Sequence, residues 1–488
     1  MNNSKNNQFR SLRRNTVSTG ILICLAAVAT QQAHADTWDF DFLADVGTIW
    51  TDNLFLAGEG LEQNETVFSI APEFTWVANG QRIPDADIRY RPEAFFYSDN
   101  SDFNEVFHTL DANLTLALVN NALFTYFSAV NFQSIVSPEG TLWTSNVPVT
   151  GNRVDSTILE IRPFWEQSFN FADVYLELAY IDTEYEDADI LLPNADLTQP
   201  SNTRRARFEL GNESRMRGLI WETEYEFRRL EYDIGAPWEY QYSTLNLGYW
   251  VSGGLRLFGT GGLETPIDEF DNSDMSSELW EAGFQYRPGE RLDFEVAAGQ
   301  RSYGDSFRGR FAYQMRRGEF LLTYNEAPMT RGEVPQGRRP IADIDSLDLG
   351  TFDRPGRSDR FVSKRSELSN TLNLSKSTLE LRIFHEERVN RTTANGTPLP
   401  DEEFTGAVLR WNWQAGSRSA IGFGGDYSKR VQEVGTDDLT RLSVDFTYRL
   451  SQKISLRMEG WHSVRGSADI ANLEYEENQV RLLFRFNI

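Results

Sequence analysis

Apolar and polar residues alternate along most of the chain from Asp36 to Ile488, in stretches of about ten residues. Successive side chains of a β-strand point to opposite faces, so a period of two predicts strands with one apolar and one polar face. The sequence contains about 22 such stretches. The clearest of them has these apolar residues on one face: Val106, Leu110, Ala112, Leu114, Leu116 and Leu118.

The breaks between the stretches alternate between short and long. Short breaks follow the even-numbered stretches and contain turn-forming pairs, such as Asn79-Gly80 and Pro288-Gly289. Breaks after odd-numbered stretches are mostly long, 429–437 among them, with 303–305 as the clear exception. Short turns at one end, long loops at the other and an even strand number are typical of transmembrane barrels. The sequence therefore predicts an all-β, antiparallel up-and-down barrel in the outer membrane of a Gram-negative bacterium.

Residues 1–35 have the pattern of a secretory signal peptide. A basic start is followed by a short apolar run, Ile21–Ala29, and by the small-residue cleavage site Ala33-His34-Ala35. Removal of this segment would leave a barrel of residues 36–488 that contains no cysteine. The first predicted strand begins within three residues of the cleavage site, so we expect no plug domain before the barrel.

The chain is acidic, and its negative charge limits the classes of partner that it can bind. Its formal net charge of −25 becomes about −29 when the four basic residues of the signal peptide are removed (−25 − 4). A charge of this sign disfavours binding to nucleic acid. Hydrophobic residues make up only 40% of the chain. A barrel accounts for that value, because alternate residues meet lipid while the others face a wet lumen.

The polar faces of the predicted strands carry charges of both signs. Strand nine has Glu222, Glu224 and Glu226 on this face, and strand 14 has Arg308 and Arg310. Charged lumenal side chains tune the selectivity of solvated channels, so these five residues are candidate pore contacts. The alternative is that they only solvate the wall and form salt bridges along it.

The longest predicted loop, 327–358, gives the second set of candidate pore contacts. It is rich in arginine, whose planar guanidinium suits carboxylate and phosphate groups. Folded into the lumen, this loop would narrow the pore and contact an anionic polymer. Alternatively it is a mobile surface loop that binds lipopolysaccharide or nothing. The arginines are Arg331, Arg338, Arg339, Arg354, Arg357 and, just beyond the loop, Arg360.

Catalysis is not predicted. The part of the chain after the signal peptide has three histidines, and His108 and His385 fall on the apolar face of their strands. The third, His462, lies near a predicted strand end. Hydrolases of the serine–histidine kind need a histidine beside a nucleophile. No residues are therefore assigned to catalysis, to a cofactor or to a metal.

Several short segments in the first half resemble a family of outer-membrane barrels associated with PEP-CTERM/exosortase systems. The resemblance covers roughly residues 45–165. It implies a barrel in a cell-envelope polysaccharide or protein-sorting pathway, and it carries no catalytic residues. The segments are Thr51-Asp52-Asn53-Leu54, Phe96-Tyr97-Ser98-Asp99, Asn104–Leu110, Gln133–Pro138 and Gly151-Asn152-Arg153.

We therefore expect an outer-membrane conduit that helps to export an extracellular polysaccharide. The wide, charged lumen follows from the residues, whereas the export role follows from the resemblance. The alternatives are a cation-preferring diffusion porin and a structural or adhesive barrel. The expected partners are membrane lipid and lipopolysaccharide, the polysaccharide and periplasmic export components. The final strand resembles the signal read by the outer-membrane insertion machinery, but it ends in Ile488 where an aromatic residue is usual.

Overall fold

The protein is an antiparallel β-structure in which 22 strands follow one another along the chain. A computed structural model describes residues 37–79, 85–119, 122–135, 145–186, 200–212, 218–233, 236–265, 277–330, 359–393, 397–433, 435–467 and 474–488. Within these ranges no helix has the length and apolar character needed to cross a membrane. The strands are β1 Thr37–Thr51, β2 Glu65–Asn79, β3 Asp85–Tyr97, β4 Glu105–Val119, β5 Leu123–Ile135, β6 Arg153–Ser168, β7 Asp173–Glu186, β8 Ser201–Gly211, β9 Leu219–Tyr232, β10 Trp238–Trp250, β11 Leu255–Glu264, β12 Ser277–Gly289, β13 Leu292–Arg301, β14 Gly304–Met315, β15 Gly318–Thr330, β16 Arg360–Asn373, β17 Ser377–Thr392, β18 Glu402–Trp413, β19 Ser419–Gln432, β20 Gly435–Arg449, β21 Ile454–Ser467 and β22 Tyr475–Asn487.

The sheet closes on itself. Each strand pairs with the next, and β22 pairs antiparallel with β1 over a register that runs from Leu43 opposite Asn487 to Thr51 opposite Gln479. Closure leaves no strand edge exposed, which is the condition for placing a sheet in lipid. The predicted barrel of about 22 antiparallel strands is thereby confirmed.

The outer surface of the barrel is apolar. Phe40 is 71% exposed and Phe74 is 50% exposed, although both lie within paired strands. Leu442 on β20 and Leu257 on β11 are exposed in the same way. An apolar surface of this extent is stable only against lipid, and a closed antiparallel barrel with such a belt is an outer-membrane protein.

The connections between the strands also follow the predicted alternation of short and long breaks. Residues 302 and 303 alone join β13 to β14, as the short break in the sequence predicted. The predicted long loop 429–437 is wrong, because β19 runs to Gln432 and β20 starts at Gly435. Polar residues lie on both faces of this hairpin, as with Lys429 opposite Asp438 and Arg430 opposite Asp437, so the strands extend beyond the lipid. By their length, the connections after odd-numbered strands face outside and those after even-numbered strands face the periplasm.

The longest connection starts later than predicted. Strand β15 continues to Thr330 and pairs with β16 up to Arg360, so residues 327–330 are strand and not loop. Residues 331–358 lie outside the described residues, as do residues 1–36. The signal peptide, the missing plug domain and the lumenal fold of the long loop therefore stay predictions.

Candidate lumenal site

The three glutamates predicted on strand nine share one stretch of the lumenal wall. Glu222, Glu224 and Glu226 lie opposite Asn246, Thr244 and Tyr242 of β10. All of these residues line a cavity of about 380 Å³ on the inner face of β9 to β15. Arg308 lines the same cavity from β14. The structure thus brings four of the predicted pore residues together.

Two of the three glutamates, Glu224 and Glu226, form ion pairs with arginines that the structure resolves. The Arg207 guanidinium on β8 lies 3.2 Å from the Glu224 carboxylate, which also accepts a hydrogen bond from the Tyr242 hydroxyl. Arg228 donates from Nε at 3.0 Å and from Nη2 at 2.6 Å to Glu226. Paired groups of this kind present polar atoms without a strong field of one sign.

The two predicted arginines of β14 have different surroundings. Arg308 lies 3.1 Å from Glu281 and 3.3 Å from Glu295, and its guanidinium stacks over the Phe258 ring. Arg310 lies nearer the periplasmic end, outside the cavity, where it pairs with Asp293 at 3.1 Å. Four of the candidate pore contacts therefore form salt bridges along the wall, as the alternative interpretation of the sequence proposed. They are Glu224, Glu226, Arg308 and Arg310.

The arginine-rich loop contributes one described residue. Arg360 begins β16, is only 4% exposed, and donates from Nη2 to the Pro237 carbonyl at 3.0 Å. Its guanidinium therefore fastens β16 to the connection before β10, and the prediction that it contacts a polymer is not supported. The remaining candidates lie outside the described residues: Arg331, Arg338, Arg339, Arg354 and Arg357.

A buried ionic cluster at the outer end of the cavity was missed by the sequence analysis. The fully buried Glu264 carboxylate accepts hydrogen bonds from Arg301 at 2.7 Å, from the Tyr240 hydroxyl at 3.0 Å and from the Ser302 amide at 2.6 Å. Strand parity places Glu264 on the lumenal face. Its partner Arg301 lies two strands away, on β13. The two residues meet because the strands of a closed barrel are staggered, and this stagger cannot be read from one strand.

The three histidines of the described residues lie on the outer face of the barrel, away from the charged lumenal wall. His108, His385 and His462 are outward-facing and contact Tyr90, Thr405 and Asn478 on neighbouring strands. No group of three histidine, cysteine or acidic side chains in the described ranges is placed to hold a metal ion. Hydroxyl, amide, carboxylate and guanidinium groups instead form a hydrogen-bonding wall.

The chain resembles solved outer-membrane proteins in fold only. A scan of protein-family models gives no match, and neither does a search of the curated proteins. The open form of the ferric-catecholate import receptor Fiu from E. coli K12 is 10% identical, with a TM-score of 0.49 over 92% of this chain and 82% of that chain. For the siderophore receptor PirA from Acinetobacter baumannii the values are 8%, 0.48, 92% and 80%. The anion-selective porin from Comamonas acidovorans gives 8%, 0.31, 93% and 100%. The assignment as a barrel rests on the strand pairing described above.

Proposed function

We propose that the barrel is a conduit through which an extracellular polysaccharide crosses the outer membrane. The observation that carries this proposal is the charge-balanced, hydrogen-bonding wall of β8 to β14. A sugar chain offers many hydroxyl groups, and such a wall exchanges hydrogen bonds with them one at a time. Transport needs contacts that are strong enough for entry and weak enough for release. The resemblance to exosortase-associated barrels supports a polysaccharide as the polymer.

The same wall favours a polymer conduit over the cation-preferring porin. A cation filter needs carboxylates that are free to attract counter-ions. Glu224, Glu226 and Glu281 instead have arginine partners within 3.2 Å. The acidity of the chain as a whole therefore does not translate into an acidic ring at this part of the lumen.

Planar-bilayer recordings of the refolded protein test the proposal. We expect open channels with a reversal potential close to zero in a steep KCl gradient, because the paired wall has little net field. Added dextran should block the current for longer than polyethylene glycol of equal hydrodynamic size, since polyethylene glycol has no hydroxyl groups along its chain. Equal block times, or a strongly cation-selective current, would contradict a polysaccharide conduit.

A matched pair of variants assigns the effect to the lumen. The double variant Glu224→Ala/Glu226→Ala should shorten the dextran block severalfold and shift the current toward anions, because it leaves Arg207 and Arg228 without these carboxylates. Glu403→Gln is the control, since its side chain is 51% exposed on the outward face of β18.

In cells, loss of the gene should trap the polymer in the periplasm. Normal surface polymer in the deletion strain would argue against the export role.

A further inference from the structure

One part of the inner wall, at the outer ends of β1 to β4, departs from the polar lining. At the outer ends of β1 to β4 the lumen-facing side chains Ile49, Val67, Phe95 and Phe107 are apolar and at most 4% exposed. The outward neighbours Trp50, Phe68, Phe96 and Val106 are apolar as well and are exposed. Both faces of these strand ends are therefore apolar, and the inner face must be covered by something other than lipid.

Two extracellular loops cover this inner patch. Leu54 from loop 52–64 and Val147 from segment 145–152, the described part of the connection before β6, are both fully buried in one cluster with the lumen-facing residues of β1 to β4. The two loops also bond to each other, since the Val149 amide donates to the Leu54 carbonyl at 2.8 Å. Because these residues pack on inward side chains, both loops bend into the lumen.

Polar contacts fix the second loop to the wall. The hydroxyl of the lumen-facing Tyr97 donates to the Val147 carbonyl at 2.8 Å. Arg153, at the start of β6, stacks on the Phe107 ring and donates to the Pro148 carbonyl at 2.9 Å and to the Asn146 carbonyl at 3.2 Å. A half-buried guanidinium that satisfies loop carbonyls in this way holds the loop in one position.

The first loop is held just as firmly, across the seam where the barrel closes. The Asn53 amide group donates to the Glu476 carbonyl of β22 and to Ala57, each at 2.8 Å. Leu56 belongs to a second buried cluster on the inner wall with Tyr475, Leu439, Phe404 and Phe384. Its φ of 48° is a left-handed conformation that a leucine adopts only when its contacts enforce it.

We infer that loop 52–64 and segment 145–152 form a fixed constriction at the outer mouth, which sets the width of what the conduit passes. The inference rests on the proposed conduit function. A barrel of this strand number encloses a wide lumen. Loops that are buried on its inner wall reduce that width without any moving part. Width selection is thereby separate from the hydrogen-bonding wall, which lies on the opposite strands.

Single-channel conductance of packing variants tests this constriction. The double variant Leu54→Ser/Val147→Ser should release the loops from the apolar patch, raise the conductance about twofold or more, and admit larger sugars in liposome-swelling assays. Leu61→Ser is the matched control, because Leu61 lies in the same loop and is 76% exposed. It should leave conductance and size limit unchanged. The milder Leu54→Ala/Val147→Ala should shift both quantities in the same direction if the serine variant fails to insert.

The outcomes separate the constriction from the conduit. Equal conductance and size limit in the wild type and both packing variants, with folding verified, would overturn the constriction and leave the conduit standing. Silence of the wild type and of all the variants in folded form would overturn both. A rise in the packing variants alone supports the constriction, whatever polymer the channel carries.

Discussion

Replacing Arg465 with alanine is expected to destabilise the barrel by about 3–5 kcal/mol, the usual consequence of breaking a buried ion pair. Arg465 faces the lumen from β21, and its side chain is completely buried. It donates from Nε at 3.0 Å and from Nη2 at 2.6 Å to the two oxygens of Asp437 on β20. Alanine would leave the Asp437 carboxylate, itself only 7% exposed, without this partner. A urea titration of the detergent-refolded protein, followed by tryptophan fluorescence, measures the loss.

A double variant that lacks both charges separates the ion pair from the loss of packing. Arg465→Met/Asp437→Leu removes both charges, so it should recover much of the stability lost in the single variant. Arg310→Ala is the matched control, because that guanidinium is 52% exposed and its ion pair with Asp293 contributes less than about 1 kcal/mol. If Arg465→Ala were no more damaging than Arg310→Ala, burial would not decide the strength of these wall contacts.

The number of strands and their orientation were predictable from the sequence. A period of two fixes which face each residue occupies, and one missed strand would have put all later short and long breaks out of phase. Phe484 and Arg485, adjacent in the last strand, do point to lipid and to lumen respectively. The hairpin at Gln432 was misjudged because its strands continue above the membrane, where polar residues on both faces resemble a loop.

The charged wall was predictable as a set of residues but not as a set of pairs. Parity alone assigned Glu224 and Glu226 to the lumen. Their arginine partners lie on an adjacent strand, as with Arg207, or two residues along the same strand, as with Arg228. Which of these pairs forms depends on the register between strands and on the shear of the barrel. Neither quantity can be read from the sequence of a single strand.

The sequence analysis did not identify the two loops that enter the lumen, because it searched for such a loop by length alone. Only the longest loop was considered as one that could fold into the lumen, yet the described segments that enter the lumen are 52–64 and 145–152. The available signal was a failure of alternation: Ile49 next to Trp50, and Phe95 next to Phe96, make both faces of a strand apolar. The segments that carry the family resemblance meet at this place, since Leu54, Tyr97 and Arg153 all take part in it.

Replacement of Asp45 by alanine is expected to weaken the closure of the barrel by about 3 kcal/mol, at the lower end for a buried ion pair because one partner is partly exposed. Asp45 on β1 accepts two hydrogen bonds from Arg485 of β22, at 2.8 and 2.9 Å. Arg91 of β3 lies 3.1 Å from the same carboxylate and reaches Glu73 of β2 at 3.2 Å. One carboxylate thus joins strands on both sides of the seam.

The seam makes this variant a test of assembly as well as of stability. Strands β1 and β22 are farthest apart in the chain, so their pairing carries the largest loop-closure entropy and gains most from a specific contact. We expect Asp45→Ala to slow refolding into liposomes, measured as the heat-modifiable band on gels, besides lowering the urea midpoint. Asp41→Ala is the control on the same face of β1, where the side chain is exposed and the expected change is within about 0.5 kcal/mol. A lower urea midpoint with an unchanged refolding rate would place this contact after the rate-limiting step, and strand pairing alone would then drive closure.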